Sequence, residues 1–329
     1  MVKFIVNRSF VVSSGALADI PVDAAPNDWV IIDDVDEEDQ NNVNEGQQVA
    51  NQQNQDWEII NNAFVADWNF TVDNIAQTIT LSNYIGAGTD VTIPTAADLG
   101  YENYTISISR EGLQSAAKGK TSLRTSNNGP KIILNAIDLS GCFYNYNTLV
   151  SVDLTNLDVS QVTDMGLMFE DCSNLTNLNL NDWDTSHVIT MGEIKIVFKL
   201  SNLNVGNWNT SSVIRMNAMF GNCISLANLD VSDWNTSSVE EMGCMFMNCQ
   251  SLTKLNLSNW NINHVTNMNY MFSNCKNLES LGTNNWNIDH PINADDIFDN
   301  ANKLVSKDKI KILNFDDFDE ILIFNLENN

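Results

Sequence analysis

The chain has 329 residues, with 42 acidic against 16 basic side chains and a net charge of −26. That length accommodates two or three domains with real cores, and the negative field excludes nucleic acid and anionic membrane, which are held through Lys and Arg. Only 18% of residues are charged, and Asn, Ser and Thr carry the polar share, as in stacked β architectures where amides ladder between layers.

Residues 1–32 are rich in Val, Ile, Phe and Ala and end in Trp29-Val30-Ile31-Ile32. They predict a short β-rich segment, too small for its own core and suited to attach the protein to a larger assembly. Asn7, Arg8, Ser9 and Asp19 break its apolar runs, so no secretory signal is expected. Residues 33–56 change to Asp, Glu, Gln and Asn, too polar to offset their ordering entropy, and predict a linker. Residues 57–140 predict a small α+β cap domain. Its strands fall at Trp68–Val72, Thr78–Leu81, Val91–Ile93 and Tyr104–Ile108, and its helix at Glu111–Lys118. Nowhere do 18 apolar residues run together, so neither a membrane-spanning helix nor membrane insertion is expected.

From residue 141 to 305 the chain repeats itself. Trp183, Trp208, Trp234, Trp260 and Trp286 are spaced 25, 26, 26 and 26 residues apart. Val188, Val213, Val239 and Val265 keep step with them, as do Met191, Met216, Met242 and Met268. Met168-Phe169, Met219-Phe220, Met245-Phe246 and Met271-Phe272 are each followed three residues on by Cys172, Cys223, Cys249 or Cys275. Leu175-Leu178-Leu180, Leu200-Leu203-Val205, Leu226-Leu229-Val231 and Leu252-Leu255-Leu257 complete the units. So many registers in phase specify a repeat solenoid. Within each unit the last two apolar residues of the Leu segment alternate with an outward one, which is strand spacing. Met-x-x-Met-Phe-x-x-Cys has the i, i+3, i+4, i+7 spacing of a helix or 3₁₀ turn. The copy at Met191–Phe198 is one residue short and lacks the Met-Phe pair, and Pro291 stands where the last copy should have Val. Residues 306–329, which alternate Lys and Ile before Phe315-Asp316-Asp317-Phe318, predict a C-terminal cap.

The phrase Leu229-Asp-Val-Ser-Asp-Trp-Asn-Thr-Ser-Ser-Val-Glu-Glu-Met-Gly-Cys-Met-Phe-Met-Asn-Cys249 resembles the BspA-type leucine-rich repeat of bacterial surface proteins. Tyr84-Ile-Gly-Ala-Gly-Thr-Asp-Val-Thr-Ile-Pro94 resembles the β segment that precedes such arrays. The resemblance spans roughly residues 68–304. It implies a leucine-rich-repeat solenoid on a bacterial or bacteriophage surface, used for adhesion or recognition, with no catalytic residues. The sequence departs from that pattern in having no export signal or wall anchor, which points to a virion surface. A bacterial cell surface or a cytoplasmic scaffold are the alternatives.

Candidate sites are few. The four Cys of the repeat register predict a row of reduced, inward-facing thiols, with Cys244 at another register and expected to react. No Cys-x-x-Cys occurs, and His187, His264 and His290 are scattered, so neither metal nor cofactor is expected. The acidic run at 33–39 and Asp316-Asp317 with Asp319-Glu320 lack the ligand spacing of a Ca²⁺ loop and read as solvated charge. Nucleophile–His–acid patterns and phosphate loops are absent, and no enzymatic activity is expected. Arg110, Lys118, Lys120, Arg124 and Lys131 form a cation cluster that would dock an acidic neighbour. One outward feature runs down the stack. Ser151, Asn177, Asn202, Asn228 and Lys254 form one column, and Asp153, Asn179, Asn204, Asp230 and Asn256 form its neighbour. Two readings stand for this strip: a face that binds a protein or a cell-surface glycan, or an Asn ladder that only satisfies hydrogen bonds.

Overall fold

In the computed structural model, residues 64–192, 199–283, 286 and 290–304 are described in full, with the backbone of six strands and the short helix α1 outside or bordering them. The expected linker (33–56), the Glu193–Phe198 part of the short copy and Asp316–Glu320 lie outside the described residues. So does the expected C-terminal cap, apart from two strands. The chain divides into two compact units, residues 1–67 with 98–100, and residues 68–97 with 101–329.

In the first unit, strands β1 (Phe4–Asn7) and β4 (Trp29–Ile32) pair antiparallel, and β2 (Val12–Ser13) turns back on β3 (Ala16–Leu17). A single turn of helix, α1, covers Ala63–Asp67.

The second unit is a β-solenoid of about eight coils. Its first coils carry two strands each. β5 (Trp68–Asp73) runs antiparallel to β6 (Thr78–Tyr84). β6 then starts a parallel ladder through β8 (Thr105–Ile108), β10 (Ile132–Leu134) and β12 (Leu157–Asp158). A second parallel ladder links β7 (Asp90–Ile93), β9 (Ser122–Thr125), β11 (Ser151–Asp153) and β13 (Asn177–Asn179). In both ladders inward Ile, Leu or Val alternates with outward polar residues, giving burial patterns such as exposed-buried-half-buried-buried in β7 and β8. Both ladders pass residue 140 without a break. Further along, β14 (Asn202–Leu203) pairs with β15 (Asn228–Leu229), and β16 (Lys254–Asn256) with β17 (Ser280–Gly282). Strands β18 (Ile310–Leu313) and β19 (Ile321–Phe324) form an antiparallel pair.

A third column holds the coils together with one bridge each: Asp138, Asp164, Thr190, Arg215, Glu241, Asn267 and Asn293 follow one another in parallel. The step from Thr190 to Arg215 is one residue shorter than the others, so the ladder absorbs the deletion in the third copy.

The Met-x-x-Met-Phe-x-x-Cys segment is not a helix. Around Phe220 the amides alternate between two destinations. Those of Met219, Gly221 and Cys223 donate three residues back within the coil, and those of Ala218, Phe220 and Asn222 donate to Gly243, Met245 and Met247 of the next coil. A helix would direct every amide along its own axis and leave neighbouring coils unbonded. The alternation requires a left-handed residue at every fourth position. Asn145, Asp171, Asn222, Asn248, Asn274 and Asn300 supply one such register, and Leu167, Ala218, Cys244, Tyr270 and Asp296 the other, all at φ between 50 and 66°. A chain of such turns keeps i, i+3, i+4 and i+7 on one side, so the apolar spacing alone does not separate it from a helix.

The only long helix among the described residues, α2 (Arg110–Ala117), starts on Ser109, whose hydroxyl accepts from the Gly112 amide. It occupies the place of a turn run in the coil before Asp138. Its side chains substitute for the missing amides: Arg110 donates to the carbonyls of Asp138 and Ser140, and Gln114 to that of Cys142 at 3.2 Å. These correspond in register to the Glu241, Gly243 and Met245 carbonyls that accept from the preceding coil deeper in the stack.

The core is a set of columns. Phe220, Phe246, Phe272 and Phe298 stack at 5.5–5.6 Å, and Phe143 lies 5.2 Å from Phe169. Trp234 and Trp260 stack at 6.4 Å, and the indole N–H groups of Trp183, Trp234 and Trp260 donate to Leu154, Val205 and Val231 carbonyls at 2.8–2.9 Å. Thr185, Thr210 and Thr236 are buried with their hydroxyls donating to the next coil.

Candidate binding face

All residues of the predicted strip lie on the outer side of the second strand column. Asn177, Asn202, Asn204, Asn228, Asp230, Lys254 and Asn256 are exposed, and Asn179 is half-buried. Their inward neighbours Leu178, Leu203, Leu255 and Leu257 fix this orientation by being buried. Strand register brings Asn177 beside Ser151, Asn179 beside Asp153, and Asn202 beside Asn228. The strip also begins earlier than the repeat suggests. Asp90, Ser122 and Ser151 form one file, and Thr92, Arg124 and Asp153 its neighbour. The signal was present in the alternation of Asp90-Val91-Thr92-Ile93 and Ser122-Leu123-Arg124-Thr125.

Hydrogen bonds hold part of this surface in place. The Asn179 amide donates to the Asp153 carboxylate at 3.1 Å and the Asn228 amide to the Asn202 carbonyl oxygen at 2.7 Å, each across one rung. Asp230 accepts from the Ser232 hydroxyl at 2.7 Å and from its backbone N–H at 3.1 Å, and these bonds hold its carboxyl below the usual range. Asn256 accepts from Ser258 in the same way. The strip is therefore a ladder in places, with Asn179, Asn202, Asn228, Asp230 and Asn256 held by hydrogen bonds, in rows of polar groups about 4.8 Å apart along the stack.

The cation cluster resolves differently. Arg110 caps the first turn run, and Lys120 donates to Gly86 and Gly88 carbonyls while resting 4.8 Å from the Tyr84 ring. Arg124 donates to the Thr92 hydroxyl and Lys131 to the Asp182 carbonyl. Four of the five predicted cations are thus bound within the molecule rather than gathered to meet a neighbour.

The histidines do not converge. His264 and His290 approach backbone oxygens of Ser237 and Val265, and His187 the Ser186 hydroxyl. Among the described residues no three His, Cys, Asp or Glu side chains stand close enough to hold a metal ion, and no helix is long and apolar enough to cross a membrane. Cys142, Cys172, Cys223, Cys249 and Cys275 are buried and unbridged, and Cys244 is half-buried. The thiols of Cys172, Cys249 and Cys275 donate to the Phe143, Phe220 and Phe246 carbonyls at 3.0–3.1 Å. Burial pushes the Cys142 and Cys172 thiols up to about 12.

A family described as "Mycoplasma protein of unknown function, DUF285" matches residues 137–196 and 193–311, together just over half the chain. The chain belongs to this family. The match covers the repeating coils and the third bridge column of the DUF285 chain, from Asp138 to Asn293. No curated protein matches it. Similar solved structures include two leucine-rich proteins. A leucine rich repeat protein of T. pallidum is 17% identical with a TM-score of 0.37, covering 73% of this chain and 88% of its own. A leucine rich cell surface protein of Faecalibacterium prausnitzii is 18% identical with a TM-score of 0.35, covering 65% of this chain and 52% of its own.

Proposed function

We propose that the protein is a non-enzymatic binding protein that presents its polar strip to a protein or cell-surface glycan. One observation carries this reading. The eight residues Asn177, Asn179, Asn202, Asn204, Asn228, Asp230, Lys254 and Asn256 point outward from a ladder of buried Leu and Val, with several held by neighbours. Preorganised groups on rigid elements lose little entropy on binding, and an extended solenoid face offers a repeating row of them. The resemblance of the repeat to the BspA type supports an adhesive role on a surface. The family description, a Mycoplasma protein, favours a bacterial cell over a virion, and no comparison supports the virion placement. Residues 1–32 would form the attaching end, joined through the polar stretch at 33–56 to a cap at 57–140 that includes the first coils of the solenoid, then the array at 141–305 and the C-terminal cap.

The test is binding of the full chain to arrays of proteins and cell-surface glycans, followed by titration of the strongest target. Replacing Asn202, Asn228, Lys254 and Asn256 by Ala together should weaken binding at least tenfold, about 1.4 kcal/mol, while the loss of the exposed Asn228–Asn202 and Asn256–Ser258 bonds lowers the melting temperature by only a few degrees. Unaltered affinity would remove the strip from the function. Deleting residues 1–55 should leave target binding intact while detaching the protein from its own cell or particle.

A further inference from the structure

Residues that build the fold recur in every coil, whereas a ligand site has no reason to. The bridge column reads Asp138, Asp164, Thr190, Arg215, Glu241, Asn267 and Asn293, and Arg215 is its one cation. Two residues further on, Gly243 lies between Asn217 and Asn269 of the flanking coils. Around Gly243 the surface forms an open depression of about 390 Å³ lined by Arg215, Asn217, Glu241, Cys244, Asn267 and Asn269, among others. A Cβ at Gly243 would come within 2.3 Å of the Asn269 side-chain oxygen, so that amide occupies the space the glycine leaves.

The polar groups of this depression are only partly used. Glu241 accepts from the Asn267 amide at 3.0 Å, and Asn267 accepts from the Asn269 backbone N–H at 3.0 Å. Among the described residues the Arg215 guanidinium makes neither a hydrogen bond nor an ion pair, and the side-chain amides of Asn217 and Asn269 have no hydrogen-bond partner. Arg215 and Glu241 are bridge partners on adjacent rungs, about 4.8 Å apart along the stack. A guanidinium and a carboxylate so placed complement a ligand carrying both charges, and a net charge of −26 disfavours a simple anion.

We infer that this depression binds a small zwitterion of the amino-acid class. Its carboxylate is received by Arg215 in charge-assisted hydrogen bonds, its ammonium group by Glu241, and its remaining polar atoms by Asn217 and Asn269. The site lies in a different column from the strip and stands independently of it.

Cys244 is the reporter, since it lines the depression while the other five thiols are buried. Iodoacetamide labelling of the full chain, read by mass on the peptide carrying Cys244, is followed with L-alanine, acetate or ethylammonium present. At ten times its dissociation constant L-alanine should slow labelling about tenfold, and the two single-charge ions should slow it far less. Arg215→Gln and Glu241→Gln, each compared with its own rate without ligand, should lose the protection at unchanged melting temperature. Saturation transfer to the alanine methyl group gives a second readout for a ligand that leaves the thiol uncovered. Acetate acting as well as alanine would overturn the proposal, as would protection or saturation transfer surviving Arg215→Gln. Absence of both protection and saturable transfer would overturn it as well.

Discussion

Replacing Ala218 by Gly should stabilise the protein, the opposite of what the apolar spacing around it suggests. If Met216–Cys223 were a helix, Ala→Gly would cost about 1 kcal/mol. Ala218 instead stands at φ 50°, a left-handed conformation that costs an L-residue roughly 1–2 kcal/mol and glycine almost nothing. Against this gain, glycine widens the unfolded ensemble by about 0.4–1 kcal/mol, and Ala218 gives up only one half-buried methyl group. The net expectation is a gain of about 0.5–1 kcal/mol. Urea unfolding followed by far-ultraviolet circular dichroism measures it, and Ala116→Gly serves as the control. Ala116 is buried in helix α2, so there the same change should destabilise by about 1 kcal/mol or more. Loss of stability at both sites would mean that the turn run, and with it the alternation of amides within and between coils, is wrong.

Three further outcomes follow from the core and its thiols. Trp234 is 1% exposed, stacks on Trp260 and donates to Val205. Trp234→Ala should cost about 3–5 kcal/mol in the same unfolding assay, and the half-buried Trp286, at the end of the column, clearly less; equal losses would separate stability from the stack. Thiol titration of the native protein should find Cys244 alone reacting quickly, with four or more fast groups refuting the inward row. The buried thiols also set a pH dependence. Cys142 and Cys172 have folded values raised from about 9 to about 12, so the native state holds protons that the unfolded chain releases. Their contribution is complete below pH 9 and declines as pH rises from 9 towards 12, which alkaline unfolding curves will register.

The repeat was legible because one-dimensional order is written directly into sequence: each core column is a fixed offset, and Trp, Phe, Cys and Leu all kept theirs. The strip was legible for the same reason, since its residues alternate with buried Leu. The turn run was not, because two backbones place i, i+3, i+4 and i+7 on one side. Its sequence signature was nonetheless there. Asp171, Asn222, Asn248 and Asn274 each precede a core Cys, and Asn and Asp are the side chains that most readily enter the left-handed region. Leu167, Ala218 and Tyr270, in the companion register, carry no such mark and are held there by inter-coil bonds. The role of Arg110 was also hidden. Only the folded stack reveals that Asp138 and Ser140 have lost the coil that would have donated to them.

Rung spacing also accounts for the composition. Residues in one outward column sit about 4.8 Å from their neighbours, where two like charges repel by roughly 1 kcal/mol in water and several times that near a protein surface. A column of Lys or Glu repeated over many coils would accumulate that penalty, whereas Asn, Ser and Thr bond to the next rung, as Asn228 does to Asn202 and Asn248 to Asn222. Where acids do follow each other, as at Asp138 and Asp164, each caps a backbone amide of its own coil, Ser140 or Gly166. Uncharged residues and amide-capping acids are therefore the default in such a stack, and a cation inside a column is a departure from it. Arg215 beside Glu241, and Lys254 among asparagines, are departures of this kind, and it is at those positions that selection for a ligand has room to act without disturbing the repeat.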